Sequence, residues 1–550
     1  MDAAMILEHI DIYGFRGINR LSLSLTATNL LIGENAWGKS SLLDALTLLL
    51  APATESYLFT ENDFHFPPGD LEARTHQLQL VFRFRGESHD EEPVLEPFWQ
   101  RDGDERYLCF SARGKRQEHQ VKTTHRFIDA RGDVLPLDGT AQALVHLRTF
   151  YPVLRVRDAR FSRRARQVET DPVQRASTLS ELALEVDKLT RDLVSRPQML
   201  SDELLRQGLH TMQQLLEHYF LVQHPGGNMA RVSPEARNGG EGWRSLDKLN
   251  HLIAGTESRS RQVILLRMFS LLIQAHGNAA LPVGARPMLL VEDPETRLHP
   301  IMLAVAWNLL DLMPVQKIAT TNSGELLSQV PLESVCRLVR EPTRVAAWRI
   351  GPEGLSAEES RRIGFHIRVN RPSALFARCW LLVEGETEVW IINELARQSG
   401  YHFAAEGVKV IEFAQSGLKP LLKFARRMGI AWHVLTDGDD AGKKYAATTR
   451  SQLQAHEHDV DHLTMLPALD IENFFYKHGF SDIYHQTAHL PLNVPMNARR
   501  IITKAIHHSS KPELAIAVAM AAAERGPASI PSLLDTLFSR VIWLAHGKAD

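Results

Sequence analysis

The fold of this chain follows most directly from two short stretches, LLVEGETEVWII at Leu381–Ile392 and VLTDGDD at Val434–Asp440. Each begins as an apolar run of strand type and ends in acidic residues, and the first continues into a helical pattern. Because parallel strands end at the same edge of a sheet, these tips bring their carboxylates together. We therefore expect a parallel α/β sheet whose edge holds divalent cations.

Length and composition bound the class of protein. The chain has 550 residues, 44% hydrophobic and 23% charged, which predicts about two to four globular domains. Its formal net charge is -3, so any nucleic-acid contact must come from local basic patches. Three cysteines without CxxC spacing, no long apolar span and no positively charged leader predict a cytoplasmic protein that does not contact membranes.

A phosphate-binding loop follows the third predicted strand. GENAWGKS, Gly33–Ser40, fits the pattern G-x-x-x-x-G-K-[ST] between the strand NLLIG and the helix SLLDALTLLL. Glycines let backbone amides fold around phosphates, the lysine reaches the β- and γ-phosphates, and the serine hydroxyl ligates Mg²⁺. The residues expected to bind ATP and Mg²⁺ here are Gly33, Asn35, Gly38, Lys39, Ser40 and Ser41.

Two later segments resemble parts of ABC-type ATPases. IAGTE, Ile253–Glu257, precedes a helix and resembles the signature motif, with Gly255 close to a γ-phosphate. PMLLVEDPETRLHP contains a strand ending in Glu292 and Asp293. The resemblance implies that Glu292 organises Mg²⁺ and that Asp293 polarises the attacking water. Asn322 stands where a switch histidine normally sits, and since Asn cannot take up a proton, we expect slow hydrolysis.

A run of arginines from Arg155 to Arg166 precedes a helical pattern. Three interpretations stay open: a solvated, salt-bridged face, a phosphate-contacting patch, or side chains that brace the ATPase site. The helical pattern that follows predicts an insertion at 158–225, which we expect to mediate dimerisation.

The P-loop, the signature-like helix, the EDPE strand and the acidic EGxTE and DxD motifs together resemble the OLD (overcoming lysogenization defect) family of ATP-dependent nucleases. These proteins join an ABC-type ATPase to a Toprim domain, so the expected fold is α/β, with a Rossmann-like parallel sheet in the Toprim part. The expected domains are the ATPase at 1–157 and 226–350, the helical insertion at 158–225, a linker at 351–373, and the Toprim domain with C-terminal helices at 374–550.

The acids of the two opening stretches predict a site for Mg²⁺ or Mn²⁺, because so many carboxylates repel one another without cations. The expected ligands are Glu384, Glu388, Asp437 and Asp439, with Asp440 next to them. The family resemblance implies two further residues, Glu472 as a ligand and a lysine that offsets transition-state charge. Lys511 fits that position better than Lys504, and an ordinary surface lysine is the alternative.

The leading hypothesis for function is an ATP-regulated DNA endonuclease that cleaves phosphodiester bonds at a two-metal Toprim site. Its expected partners are DNA and a second copy of the chain in a homodimer. The alternative is a non-cleaving, ATP-driven DNA clamp or sensor of the SMC/Rad50 type, although 177–223 is too short for long coiled coils. A third is primase or topoisomerase chemistry, which shares the Toprim fold.

Overall fold

The computed structural model describes residues 5–35, 37–51, 55–66, 75–86, 94–103, 105–117, 120–156, 286–296, 300–311, 315–351 and 354–547. The predicted insertion at 158–225, the arginines after Arg155 and the signature-like segment with Gly255 lie outside these residues. The chain divides into two compact units. Unit 1 comprises Met1–Val330 and Ser334–Ala347, and unit 2 comprises Pro331–Glu333 and Trp348–Asp550.

Unit 1 is built on a large mixed sheet. Its strands are β1 (Ile6–Phe15), β2 (Ile18–Ser24), β3 (Thr28–Ile32), β4 (Gln77–Gly86), β5 (Gln100–Asp102), β6 (Glu105–Gln117), β7 (Gln120–Ile128), β8 (Val153–Val156), β9 (Met288–Glu292), β10 (Lys317–Thr320), β11 (Val335–Arg340) and β12 (Val345–Trp348). Its described helices are α1 (Lys39–Leu50), α2 (Thr140–Phe150), α3 (Pro300–Asp311) and α4 (Gly324–Gln329).

The sheet of unit 1 has an antiparallel and a parallel part. Within the described ranges the strand order is β5-β6-β4-β1-β2-β12-β11-β3-β10-β9-β8, and β7 pairs with β6. Strands β1, β2, β4, β5, β6 and β7 pair antiparallel, whereas β3, β8, β9, β10 and β11 pair parallel. β3 lies between β10 and β11, so the P-loop leaves a central strand of the parallel part.

Apolar periodicity explains both parts of the sheet. In β1, Leu7, Ile10 and Ile12 are buried, as expected for a strand with one face on the core. In β3 the apolar run Leu30–Ile32 is fully buried, as is usual for a parallel strand covered on both faces. Burying such runs provides most of the favourable free energy of folding.

Unit 2 contains a four-stranded parallel sheet. Its strands are β13 (Cys379–Val383), β14 (Val408–Glu412), β15 (Ala431–Thr436) and β16 (Leu463–Met465). Its helices are α5 (Ala357–Ile363), α6 (Glu386–Gln398), α7 (Phe403–Glu406), α8 (Leu418–Arg427), α9 (Asp440–Ser451), α10 (Asp459–His462), α11 (Ile471–Phe475), α12 (Ser481–Thr487), α13 (Ala498–His508), α14 (Lys511–Arg525) and α15 (Ser532–Ala545).

The strand order β14-β13-β15-β16 makes β13 the point from which the chain proceeds first to one side and then to the other. Ligands of open parallel sheets bind at the carboxyl ends of strands beside such a switch point. All five residues of β13 are buried, and helix α15 packs on β13 and β15. The loops after β13 and β15 therefore meet at a fixed edge.

The segment 351–373, predicted as a linker, is instead folded into unit 2. It contains α5 and a following π-helical turn, Gly364–Val369. Ile363 and Ile367 are fully buried, so their apolar side chains anchor the segment. Among the described helices, none is both long and apolar enough to span a bilayer.

Two glycines of unit 2, Gly442 and Gly364, differ in how closely other atoms approach them. A Cβ on Gly442 would lie 1.9 Å from the carbonyl oxygen of Asp437, whereas a Cβ on Gly364 would meet nothing closer than 4.0 Å. We expect Gly442→Ala to lower the free energy of unfolding by at least about 1–3 kcal/mol, because backbone must move. Gly364→Ala should be neutral or slightly stabilising. Urea unfolding of both variants checks this, and equal stability of the two would contradict the described packing.

Candidate functional site

The carboxyl edge of the unit 2 sheet collects the predicted acidic residues. Glu384 follows β13 directly, and Asp437 follows β15. Glu388 lies in the first turn of α6, where its carboxylate folds back to within 2.9 Å of the Cβ position of Gly385. Glu472 lies in α11, which follows β16, and is buried. The sheet thus brings residues from three separate segments of the chain to one edge.

The electrostatics of this edge are those of crowded carboxyl groups. Burial raises the pKa of Asp437 to about 8, and the neighbouring charges of Glu384, Glu388, Asp470 and Glu472 add to the rise. Such a shift keeps the carboxyl of Asp437 protonated at neutral pH. The edge therefore holds more acidic groups than can all ionise together.

Two of these acids carry a buried oxygen that lacks a hydrogen-bond partner. They are Oε2 of Glu384 and Oε2 of Glu472. Burial raises the pKa of both side chains, and Asp439 and Glu388 raise that of Glu384 further. Buried polar atoms are normally paired, so these oxygens indicate a missing positive partner. An all-oxygen donor set fits Mg²⁺ or Mn²⁺.

The acids are close but do not form a preassembled cage. In the part of the chain that the structure describes, no three Asp, Glu, His or Cys side chains converge tightly enough to hold a metal ion. Carboxylates on short loops reorient by side-chain rotation alone.

Asp439 and Asp440 have different surroundings. Asp439 caps α9, and its Oδ1 accepts a hydrogen bond of 2.7 Å from the backbone amide of Gly442, which leaves one carboxylate oxygen for a ligand. The side chain of Asp440 is 94% exposed and pairs with Lys443 at 3.0 Å. Asp440 is therefore an ordinary first-turn residue of the helix.

Lys511 contributes the positive charge at this edge. Its Nζ lies 3.0 Å from Oε1 of Glu472. Burial lowers the pKa of Lys511, but the hydrogen bond and charge of Glu472 outweigh it and raise the pKa above its usual value. Lys504 lies exposed on α13. The structure therefore places Lys511, and not Lys504, beside Glu472.

The P-loop of unit 1 has the backbone that phosphate binding requires. Gly33 and Gly38 have φ values of 148° and 93°. A Cβ at Gly33 would lie 2.6 Å from the carbonyl oxygen of Leu338, so only glycine fits there. Lys39 is buried at the start of α1, Ser40 is exposed beside it, and Oγ of Ser41 accepts a hydrogen bond from the backbone amide of Gly17.

Lys39 connects the P-loop to the turn after β10. Its Nζ donates to the carbonyl oxygen of Gly33 and to Oδ1 of Asn322, both at 2.6 Å. Nδ2 of Asn322 also donates to Asn35 at 3.4 Å. Burial lowers the pKa of Lys39, opposed by the charges of Asp293 and Glu295. Gly33, Asn35, Lys39, Asn322 and Asp293 thus share one site.

The acidic turn after β9 is held by hydrogen bonds. Oδ1 of Asp293 accepts from the hydroxyl of Thr320 at 2.9 Å, and φ of Asp293 is 39°, a conformation that costs free energy outside glycine. Glu295 accepts from the hydroxyl of Thr321 at 3.0 Å and from the backbone amide of Asn322 at 2.6 Å. Glu295 is therefore a site residue that sequence reasoning did not single out.

Glu292 is engaged by an arginine. Nη2 of Arg155 lies 2.8 Å from Oε2 of Glu292, and Nη1 lies 2.5 Å from Oδ1 of Asp44 on α1. The side chain of Arg155 is only 4% exposed. Of the interpretations for the arginine run, bracing of the ATPase site holds for Arg155. Glu292 can organise Mg²⁺ only by sharing its carboxylate with this guanidinium.

Comparisons with known proteins show which family the chain belongs to. A family model described as "Protein of unknown function (DUF2813)" matches residues 5–374. The chain belongs to the DUF2813 family. The adjoining residues 375–439 match a model described as "Overcoming lysogenization defect protein-like, TOPRIM domain". The "Uncharacterized protein YbjD" of Escherichia coli (strain K12) is 58% identical over 555 residues, 99% of this chain and 100% of that protein.

Solved structures resemble this DUF2813 protein more distantly. The C-terminal region of the Burkholderia pseudomallei OLD protein is 17% identical over 31% of this chain and 99% of that chain, with a TM-score of 0.27. The SMC head domain from Thermotoga maritima is 10% identical over 64% of this chain and 100% of that chain, with a TM-score of 0.29. TM-scores this low leave the assignment to the sequence matches.

The fold class and the family resemblance are thereby confirmed. The chain joins a DUF2813 region, whose mixed sheet carries the P-loop motif, to an OLD-like Toprim domain with a parallel sheet. Sequence reasoning missed Asp470. This residue caps α11 by accepting hydrogen bonds from the backbone amide and from Nδ2 of Asn473, both at 2.7 Å. Its negative charge also raises the pKa of Asp437. The available signal was an acid directly before IENFF, since Asp is a common residue immediately before a helix.

The raised pKa of Asp437 predicts a pH-dependent stability. Between its ordinary value of 3.8 and about 8, the folded chain binds more protons at this group than the unfolded chain does. The free energy of unfolding therefore falls as pH rises through this window. In a chelating buffer, we expect Asp437→Asn to raise Tm relative to the parent more at about pH 9 than at about pH 6. An equal Tm difference at both pH values would contradict the described environment.

The buried ion pairs of Arg155 predict a large effect on stability. Arg155→Met should lower the free energy of unfolding by about 1–3 kcal/mol, because Glu292 loses its guanidinium partner whereas Asp44 keeps its ion pair with Arg16. Arg344→Met is the matched control, since Arg344 is 57% exposed and its ion pair in the described part of the chain is with Glu341 at the surface. It should cost less than about 1 kcal/mol. Urea midpoints measure both, and equal losses would show that Arg155 does not brace the site.

Proposed function

We propose that this DUF2813 protein is an ATP-binding, divalent-metal-dependent DNA endonuclease. The observation that carries the proposal is the carboxyl edge of the Toprim sheet. Burial and four neighbouring acids hold the pKa of Asp437 near 8, and two of those four, Glu384 and Glu472, each have a buried oxygen without a hydrogen-bond partner. Perturbed acids at a switch point of a parallel sheet are typical of catalytic metal sites.

Each residue of the edge has a distinct task in this proposal. Glu384, Glu388, Asp437, Asp439 and Glu472 would hold Mg²⁺ or Mn²⁺, which when bound activates water and stabilises the leaving oxygen of a phosphodiester. Lys511 is protonated on Nζ, and this atom lies 3.0 Å from Oε1 of Glu472. It would offset negative charge on the phosphoryl group during cleavage. Asp470 would orient α11 and add negative charge without binding the metal.

The ATPase head would regulate the nuclease. Gly33, Gly38 and Lys39 would receive the phosphates, with Ser40 and Glu292 as candidate ligands of Mg²⁺. Asp293 would orient the attacking water, and Glu295 would hold the turn that carries Asn322. Because Asn322 cannot accept a proton and Glu292 is shared with Arg155, we expect slow turnover, as suits a regulatory ATPase.

Homodimerisation is part of the proposal, because ABC-type heads commonly place nucleotide between two subunits. Gly255 of a second copy would then complete the nucleotide site. The alternative is an ATP-driven DNA clamp that never cleaves. Cleavage assays separate the two, since a clamp would bind DNA without nicking it.

The decisive test is cleavage of supercoiled plasmid with Mg²⁺ or Mn²⁺. We expect nicked or linear product from the full chain, and a loss of at least about 100-fold with Asp437→Asn, because even outer residues of metal sites cost 10–100-fold. Asp440→Asn is the matched control and should retain cleavage, since its side chain is exposed and pairs with Lys443. Lys39→Ala should remove any effect of ATP while metal-dependent cleavage persists.

Two outcomes would contradict the proposal. One is undiminished cleavage by Asp437→Asn, which would identify a contaminating nuclease. The other is binding of plasmid by the parent protein without cleavage under any of these metals, with or without ATP, which would favour the clamp.

A further inference from the structure

The ribbon formed by β6 and β7 carries a cluster of positively charged side chains. The strands pair antiparallel from Cys109 opposite Ile128 to Gln117 opposite Gln120. Among the named strands of the described residues β7 pairs with β6 alone, and Val134 and Leu135 bridge its last two residues. The cations of this ribbon are Arg113, Lys115, Arg116, Lys122 and Arg126. Neither 111–117 nor 120–126 contains an acidic residue.

We propose that the β6–β7 ribbon binds the phosphate backbone of duplex DNA. The identity of the polyanion rests on the proposed function; the surface itself does not. Among the described residues, no carboxylate lies within ion-pair distance of any of the five cations, whereas Arg83, Arg85 and Arg106 of the same sheet all have acidic partners. The ribbon cations are therefore available to an external anion.

Successive side chains along the two strands of the ribbon point alternately to its buried face and to its exposed face. Phe110, Ala112 and Phe127 point into the core and are fully buried or nearly so. Arg113, Lys115, Lys122 and Arg126 are exposed on the opposite face. Cations two residues apart on a strand are about 7 Å apart, which is twice the rise per phosphate of one DNA strand, about 3.4 Å. The face can thus contact alternate phosphates.

The register adds an independent sign of an anionic partner. Lys115 lies directly opposite Lys122 across the two strands. Like charges directly opposite each other destabilise a sheet, so the fold alone gives no reason for this pair. A bound phosphate between the two ammonium groups would convert the repulsion into attraction.

The composition of the ribbon also indicates what kind of contact it makes. None of the large hydrophobic side chains exposed in the described residues lies between 105 and 128, which disfavours both a lipid surface and stacking on bases. Contact through Arg and Lys alone is contact with the backbone and carries no sequence information. We therefore expect binding that is strong at low salt and indifferent to sequence.

The test uses the full chain and a fluorescein-labelled DNA duplex in EDTA, so that binding is measured without cleavage. The variant replaces four cations by glutamine: Arg113→Gln, Lys115→Gln, Lys122→Gln and Arg126→Gln. Its matched control removes four exposed cations of unit 2: Arg361→Gln, Arg362→Gln, Arg397→Gln and Arg450→Gln. We expect the ribbon variant to lose more than about tenfold in affinity and about 3–4 in the slope of log K against log salt.

The outcomes separate this inference from the nuclease proposal. Loss of binding in the ribbon variant but not in the control, with Tm unchanged, supports the ribbon even if the parent never cleaves DNA. Unchanged affinity and salt slope in the ribbon variant overturn it, even if the parent does cleave. Tighter binding of an RNA duplex of equal length than of DNA also overturns it.

Discussion

Mutual repulsion among crowded carboxyl groups is the constraint on which the candidate site of unit 2 depends. The strands of the Toprim sheet are apolar and covered, so their carboxyl ends cannot move apart to relieve the repulsion. Glu384 and Asp437 are fixed by their strands, and Glu472 by α11. The protein responds by holding Asp437 protonated and by placing Lys511 against Glu472. Both features are consistent with the metal site that we propose.

The P-loop region of unit 1 contains a buried positive charge instead of crowded negative charges. Lys39 is a buried cation, and its charge is held by the carbonyl of Gly33 and the amide of Asn322. Behind it, Arg155 bridges Glu292 and Asp44, so α1, β8 and β9 are tied by one guanidinium. A nucleotide phosphate would meet a lysine already positioned, and its Mg²⁺ would meet a carboxylate already committed to an arginine. This arrangement favours binding and slow conversion over rapid hydrolysis.

Local sequence patterns could predict the strands and the residues at their tips. Apolar runs before Glu384 and Asp437, and the glycines around Lys39, each act within a few residues, so both sites were identifiable. Contacts between segments that are distant in the sequence could not be predicted in this way. The bridge from Arg155 to Glu292 spans 137 positions, and the position of Lys115 opposite Lys122 depends on register. Asp439 and Asp440 are adjacent in sequence, yet the start of α9 makes one a cap and the other a solvated residue. Packing of Ile363 and Ile367 likewise turned a predicted linker into part of unit 2.

The central claim is that the acids of the Toprim edge are held together and need a cation to ionise fully. Calorimetric titration of the full chain with Mn²⁺ at about pH 7, in two buffers of different ionisation enthalpy, measures the protons released on binding. We expect saturable binding with release of about one proton per chain, and release of fewer protons from Asp437→Asn. No saturable binding, or equal proton release from the parent and Asp437→Asn, would contradict the claim.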